Sequence, residues 1–260
     1  MSVTVGFIGF GNMGKGIATG LVREGFDAQH ILAYSPDADS LVADTAALGA
    51  CAATSNEQVV QESDIVIIAV KPYLVETVLT PLKNLIDESK TLISIAWGIN
   101  NLQMEEIVPG THHCSIIPNM PIAVGQGVLV AEREHTLTAA QYTQVRELFA
   151  NVGLWQEVET DHMSVAGIVT SCSPAYMAMV VEALADAGVE YGLTRNEATR
   201  LAGGMMQGSG AQIVEQPIAP AALKDAVCSP GGATIRGVVA LEQSGLRGDI
   251  TRAIEAVMGK

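Results

Sequence analysis

Six residues, Gly9-Phe10-Gly11-Asn12-Met13-Gly14, constrain this chain most, because a strand-like run, Val3 to Ile8, precedes them and a helical pattern, Asn12 to Arg23, follows. In that setting each glycine has a reason. Gly9 permits a tight turn, Gly11 admits a pyrophosphate close to the backbone, and Gly14 lets helix and strand pack. The helix carries Met13, Ile17, Ala18 and Leu21 on one face and stops at Gly25. A strand, a glycine turn and a helix in this order open a dinucleotide-binding βαβ unit.

The alternation continues. Strands are expected near Val3–Ile8, Ile31–Ser35, Asp64–Val70, Thr91–Ile95, His113–Ile117 and Val128–Val130, with helices between them, which predicts an open, mainly parallel sheet with crossover helices. Near Asp161 the pattern turns helical, with helices expected over Pro174–Tyr191, Arg195–Glu215, Thr234–Gln243 and Gly248–Met258. Ser173-Pro174 reads as the N-cap and first residue of the first of these, after a loop at Thr170–Ser173. The expected domains are therefore 1–160, α/β and dinucleotide-binding, and 161–260, all-helical. A helical domain of roughly 100 residues this rich in Ala, Gly and Met is expected to bury apolar surface against a second copy.

Composition removes several function classes. A formal charge of −14, with no basic run, argues against nucleic acid and anionic membrane surfaces as partners. The longest uninterrupted apolar run, Ile65 to Val70, is too short to span a bilayer, and the opening residues have no signal-peptide pattern, so a cytoplasmic protein is expected. Cys51, Cys114, Cys172 and Cys228 are scattered, and the histidines form no ligand cluster beyond adjacent His112-His113. Neither a disulfide framework nor a metal site is expected.

At the end of the second expected strand, Tyr34-Ser35-Pro36 offers no acidic acceptor for a ribose 2′-hydroxyl, which tilts the choice towards NADPH, with NADH as the other candidate. Val70-Lys71-Pro72 and Ala96-Trp97-Gly98 follow the next two strands at the sheet edge where ligands bind in such folds. Far along the chain, Ser229-Pro230-Gly231-Gly232-Ala233-Thr234 reads as a tight turn feeding a helix whose outward N–H groups suit a small carboxylate. Thr234 reads either as a site residue or as the N-cap of that helix.

Together these segments resemble the pyrroline-5-carboxylate reductase family. The resemblance rests on the glycine turn, Ala69-Val70-Lys71-Pro72, Ala96-Trp97-Gly98, Ile117-Pro118-Asn119-Met120-Pro121, Ser173-Pro174-Ala175-Tyr176 and Ser229 to Thr234, in that order. It implies an N-terminal Rossmann-type domain, an all-α C-terminal dimerisation domain, and a homodimer or a ring of dimers. It also implies a small cyclic imino acid as substrate. Carried over residue by residue, Gly9, Gly11, Asn12 and Met13 meet the cofactor phosphates, and Ser35, Pro36 and Asn56 lie around the adenosine. Ala69, Val70, Lys71, Pro72 and Ala96 line the nicotinamide side, and Ser229, Gly231, Gly232, Ala233 and Thr234 hold the substrate. Two segments depart from the family: Ser115 stands where its loop has Arg and Met120 where it has Thr, and Thr170-Ser171-Cys172-Ser173 replaces Ser-Gly-Ser-Gly.

The implied reaction is hydride transfer to the cyclic imine, giving L-proline, with Thr234 as the residue that touches the reacting group. Two alternatives differ in class. A β-hydroxyacid dehydrogenase relative shares the glycine turn but needs a lysine on its long interdomain helix, and Lys224 is the only lysine between Lys90 and Lys260. A weakly catalytic paralogue that binds the dinucleotide for regulation fits the altered Thr170–Ser173 segment but leaves the intact Gly231–Thr234 turn without a purpose.

Overall fold

Four consecutive apolar residues, Ile65 to Ile68, are fully buried, as in a strand covered on both faces. They form the centre of a sheet in a computed structural model that describes residues 3–216 and 218–259. In chain order the strands are β1 (Val5–Ile8), β2 (Ile31–Tyr34), β3 (Cys51–Ala52), β4 (Ile65–Ile68), β5 (Thr91–Ser94), β6 (His112–Pro118), β7 (Gly127–Glu132) and β8 (Gly153–Val158), and their spatial order is β3-β2-β1-β4-β5-β6-β7-β8. All neighbours are parallel except β6 and β7. A short 3-10 turn, Met120–Val124, joins that antiparallel pair, because strands that run back beside each other need no crossover helix.

The helices of this part are α1 (Asn12–Arg23), α2 (Ala38–Leu48), α3 (Asn56–Glu62), α4 (Val75–Leu79), α5 (Asn101–Ile107), α6 (Ala139–Phe149) and α7 (Met163–Gly167). Alternate strand residues face opposite layers. Ile65 and Ile67 pack with Ile17, Leu21, Leu41, Val145 and Phe149, whereas Val66 and Ile68 pack with Val59, Val60, Val75, Leu79 and Met104. The first layer tolerates almost no slack, since a Cβ on Gly20 of α1 would stand 2.2 Å from the Ile122 carbonyl oxygen. The mainly parallel α/β expectation holds, with two strands that periodicity did not reveal: β3, two residues long, and β8, a partly exposed run at the opposite edge.

The second part comprises α8 (Ser173–Glu190), α9 (Arg195–Glu215), α10 (Pro220–Ala226), α11 (Ala233–Gln243) and α12 (Leu246–Met258). By packing the chain divides into units Met1–Ser171 and Cys172–Lys260. α9 starts as its sequence dictates, with Thr194 and Glu197 forming a reciprocal capping box. Gly188 of α8 and Ala198 of α9 allow close approach, since a Cβ on Gly188 would lie 3.0 Å from that of Ala198. Among the described residues of this unit only Ala185, Ala198 and Ala202 are buried, while Met179, Leu201, Met205, Val214, Val239 and Leu241 are exposed. α10 is the short helix expected before the Ser229-Pro230 stop.

One buried polar pair in the first unit has a consequence for stability. His113 of β6 is fully buried, with Nε2 at 3.1 Å from Glu105 Oε2 and Nδ1 without a partner. Burial holds its pKa below the ordinary value, and Glu105 opposes that shift only in part. The neutral ring therefore carries its proton on Nε2, leaving a bare Nδ1 lone pair, which is cheaper to bury than an orphaned N–H. Because the folded state refuses a proton that the unfolded chain accepts, stability is lost as pH falls below the ordinary histidine value of 6.5. The depressed Glu105 pKa acts in the same direction, but only below its ordinary value of 4.5. The urea midpoint is expected to fall between about pH 7.5 and about pH 5.5 in the wild type and to fall less in H113Q. Equal slopes for the two proteins would show that His113 does not titrate on unfolding.

Candidate functional site

The carboxyl edge of the sheet is built around the β1–α1 turn. Gly9 has φ +90°, and a Cβ there would lie 2.9 Å from the backbone of Ala69 and from Val70 Cγ1. Its N–H donates to the Tyr34 carbonyl (2.9 Å), and the Ala69 N–H donates to the Ile8 carbonyl (2.8 Å), so the ends of β1, β2 and β4 are joined through this turn. Gly14 packs close too, its would-be Cβ 3.0 Å from the Gly9 carbonyl oxygen. Gly11, the N-cap of α1, has open space where a side chain would be. The first N–H groups of α1 have no intrahelical partner and lie beside that space. These features fit a dinucleotide pyrophosphate seated on a helix start.

Around this turn the structure brings together one set of the expected residues. Asn12 is exposed and Met13 half-buried in the first turn of α1, while Ser35 and Pro36 follow β2. Asp37 is the nearest carboxylate to that strand end, but it caps α2, accepting the Ser40 N–H at 3.1 Å. Asn56 opens α3, and its Oδ1 is buried without a hydrogen-bond partner. Ala69, Val70, Lys71 and Pro72 leave β4, and Lys71 is exposed and, among the described residues, outside any ion pair. Ala96 is buried beyond β5, in the wall of a cavity of about 150 Å³ also lined by Trp97, Gly98, Asn100, Ser115 and Thr160.

The other set lies in the second unit. Ser229-Pro230-Gly231-Gly232 is a turn with proline second, Gly231 third at φ +68°, and the Gly232 N–H donating to the Ser229 carbonyl (3.0 Å), the pattern of a type II turn. A Cβ on Gly232 would stand 2.4 Å from Ser229 Oγ and 3.1 Å from the Ser229 carbonyl oxygen, so a side chain there requires Ser229 to shift. It is also the N-cap of α11, which makes Ala233 the first and Thr234 the second helical residue. Thr234 is therefore not the N-cap; its exposed side chain stands on the first turn of α11.

The Thr170–Ser173 segment is not a loop, and Ser173 is not an N-cap. A single helical run extends from Thr160 to Glu190, with a π-turn over Ile168–Cys172. The cause is Pro174, which has no N–H for the carbonyl of residue 170 four positions earlier. The wider turn accommodates the ring, and the buried Asn119 supplies the missing donor, its Nδ2 reaching the Thr170 carbonyl at 3.0 Å. Asn119 Oδ1 in turn accepts the Val128 N–H (2.8 Å), and Ser171 Oγ donates to the Pro118 carbonyl (3.2 Å). Sequence reasoning gave Asn119 no role, although a proline four residues after an uncapped helical position is a signal that some other donor must exist.

The family model for pyrroline-5-carboxylate reductase dimerisation matches residues 160–260, and that for NADP oxidoreductase, coenzyme F420-dependent, matches residues 4–98. A pyrroline-5-carboxylate reductase of Treponema pallidum is 40% identical over 98% of this chain and 99% of its own length. A solved pyrroline carboxylate reductase of Plasmodium falciparum with NADP bound superposes with a TM-score of 0.85 at 30% identity, covering 98% of this chain and 95% of that one. One from Coxiella burnetii superposes at 0.86 with 27% identity, covering 98% and 96%.

The Asn119 clamp is directly testable. N119A leaves the Thr170 carbonyl and the Val128 N–H without their partner, and is expected to cost about 2–4 kcal/mol in urea unfolding. N119D keeps an acceptor for Val128 but turns a donor towards Thr170 into a second acceptor, and should be destabilised as well. Wild-type stability for N119D would show that the donation to Thr170 contributes nothing.

Proposed function

The chain belongs to the pyrroline-5-carboxylate reductase family, and from that membership we infer that it reduces 1-pyrroline-5-carboxylate to L-proline, the last step of proline biosynthesis. The observation that carries the assignment of the substrate site is the Ser229–Gly232 turn opening onto the first turn of α11. Ser229, Gly231, Gly232, Ala233 and Thr234 are proposed to bind the substrate, with the unpaired N–H groups at the start of α11 taking its carboxylate.

A bound nicotinamide dinucleotide supplies the hydride, and the protein's own part is chiefly alignment. Gly9, Gly11, Asn12 and Met13 are assigned to the phosphates, Ser35, Pro36 and Asn56 to the adenosine side, and Ala69, Val70, Lys71, Pro72 and Ala96 to the nicotinamide side. The Thr234 hydroxyl is assigned a hydrogen bond at the ring nitrogen or carboxylate. It is too weak an acid to protonate the nitrogen strongly by itself, so the imine either binds already protonated or receives its proton through water.

NADPH is the proposed donor. The support is an adenosine-side strand end, Tyr34-Ser35-Pro36, without an acidic residue, the nearest one in sequence, Asp37, accepting the Ser40 N–H through Oδ1 at the cap of α2. A homodimer, or a ring of dimers, is proposed for the assembly, with the functional boundary between domains at 160/161. The exposed apolar side chains of the second unit support it, as does the dimerisation model that spans 160–260. The helical run Thr160–Glu190 is long and apolar enough to cross a membrane by length and composition. We assign its apolar surface to the dimer instead, and the protein to the cytoplasm, in keeping with four free cysteines. The dehydrogenase alternative loses ground because α8 carries no lysine.

Loss of nicotinamide absorbance on adding 1-pyrroline-5-carboxylate tests the reaction, and a higher kcat/KM with NADPH than with NADH tests the donor. A folded protein that binds dinucleotide but does not turn over would favour the regulatory reading. T234A is expected to lower kcat/KM about tenfold or more with dinucleotide affinity unchanged. Wild-type kinetics in T234A would remove Thr234 from the site.

A further inference from the structure

Three buried polar side chains stand in one row across the sheet. Ser94 of β5 and Ser115 of β6 are register partners, and Glu132 of β7 occupies the next step of the β6–β7 register opposite Ser115. Each is no more than 2% exposed. All three are spent on the same short segment. Ser94 Oγ accepts the Ala96 N–H (3.4 Å), Ser115 Oγ donates to the Ile99 carbonyl (3.0 Å), and Glu132 Oε2 accepts the Asn101 N–H (2.6 Å). The remaining Glu132 oxygen accepts from Thr160 Oγ1 at 2.6 Å, where the long helical run begins.

Glu132 is the anomaly in this row. A buried carboxylate costs several kcal/mol unless its charge is compensated. Among the described residues no cation pairs with Glu132, and its compensation is two short hydrogen bonds from neutral donors. Its negative field reaches the neighbouring strand: Cys114 is pushed up to about 12, chiefly by burial and further by Glu132. An apolar side chain would fill this position at less cost, so what the carboxylate adds here is its hold on these two partners. Of those partners Thr160 lines the cavity, and Asn101 directly follows its wall residues Ala96, Trp97, Gly98 and Asn100.

We propose that Glu132 is a positioning residue for hydride transfer: by gripping the Asn101 N–H and the Thr160 hydroxyl together, it anchors the end of the Ala96–Asn100 wall against which the nicotinamide is held. The inference rests on the assignment of Ala96 to the nicotinamide side. Misplacement of such a wall affects the reacting geometry more than ground-state binding, so the loss falls on kcat rather than on KM.

The test uses the full-length enzyme. E132Q, which retains one acceptor but loses the charge, is expected to lower kcat about tenfold with KM for NADPH nearly unchanged. T160V should lower kcat in the same sense, T160S should recover most of that loss, and T160V should add little to E132Q, since both break the same grip. In the ligand-free wild type and E132Q, hydrogen exchange should quicken in the variant at 96–104 and not across the rest of the first unit. Wild-type kcat in E132Q, or equal losses in T160V and T160S, overturns the proposal, as does unchanged exchange at 96–104. If E132Q does not fold, the T160V and T160S pair decides by the same criterion. The assignment of Ala96 fails separately: A96V with wild-type kcat and NADPH affinity removes that residue from the nicotinamide side. A wild type inactive on 1-pyrroline-5-carboxylate removes the substrate assignment, and the exchange measurement then decides on Glu132 alone.

Discussion

The carboxyl edge of the sheet depends on how closely the β1–α1 turn lies on the end of β4. With Gly9 at φ +90° and the backbone of Ala69 within 2.9 Å of where its Cβ would be, no other residue holds that turn without moving a central strand. Contact with β4 lets the Gly9 N–H reach the Tyr34 carbonyl, drawing β2 to the same point. The start of α1 then faces outward, with Gly11 leaving open space beside its free N–H groups. The opposite side of α1 is held with equally little tolerance, by Gly20 against the Ile122 carbonyl. The helix is thus fixed at both its start and its back, which is what a site that works by alignment requires.

A second class of constraint is polar and long-range. Pro174 removes a donor from the long helical run, and Asn119, 51 positions before the Thr170 carbonyl it reaches, replaces it. Glu132 ties backbone 31 residues before it to a hydroxyl 28 residues after it. In both cases a side chain at the end of a β6 or β7 strand satisfies backbone left open by another element. Such groups are costly to leave unpaired when buried, so each anchor resists removal more than an average hydrogen bond does.

These anchors mark the limit of what the sequence discloses. The glycine turn, the central strands and α9 were legible because their causes are local: a φ requirement, short continuous apolar runs, a long helical pattern. Ser173-Pro174 misled for the same reason, since a serine before a proline is a good helix start by local rules, and nothing nearby in sequence says that Asn119 will keep the helix continuous. β3 was too short to show a period, and β8 alternates only weakly at an exposed edge. The roles of Asn119 and Glu132 were not legible because their partners are backbone groups that only the sheet order brings within reach. The residues assigned to the cofactor and substrate came from motif and resemblance. What the structure adds is a physical reason for some of them: the φ of Gly9 and Gly231, and the space at Gly11.

The net charge of −14 bears on how an anionic cofactor and an anionic substrate are held at all. The chain's overall field repels both, and screening reduces that repulsion beyond about 8 Å at physiological ionic strength. Within that distance the proposed contacts are oriented N–H groups at the starts of α1 and α11, with Lys71 exposed at the end of β4. Helix-start donors act over short range and carry no counter-charge to be neutralised by surrounding carboxylates, so an acidic surface competes poorly with them. Raised salt would weaken the long-range repulsion more than the short-range hydrogen bonds. For this protein a moderate gain in ionic strength should therefore favour, rather than hinder, capture of its two anions.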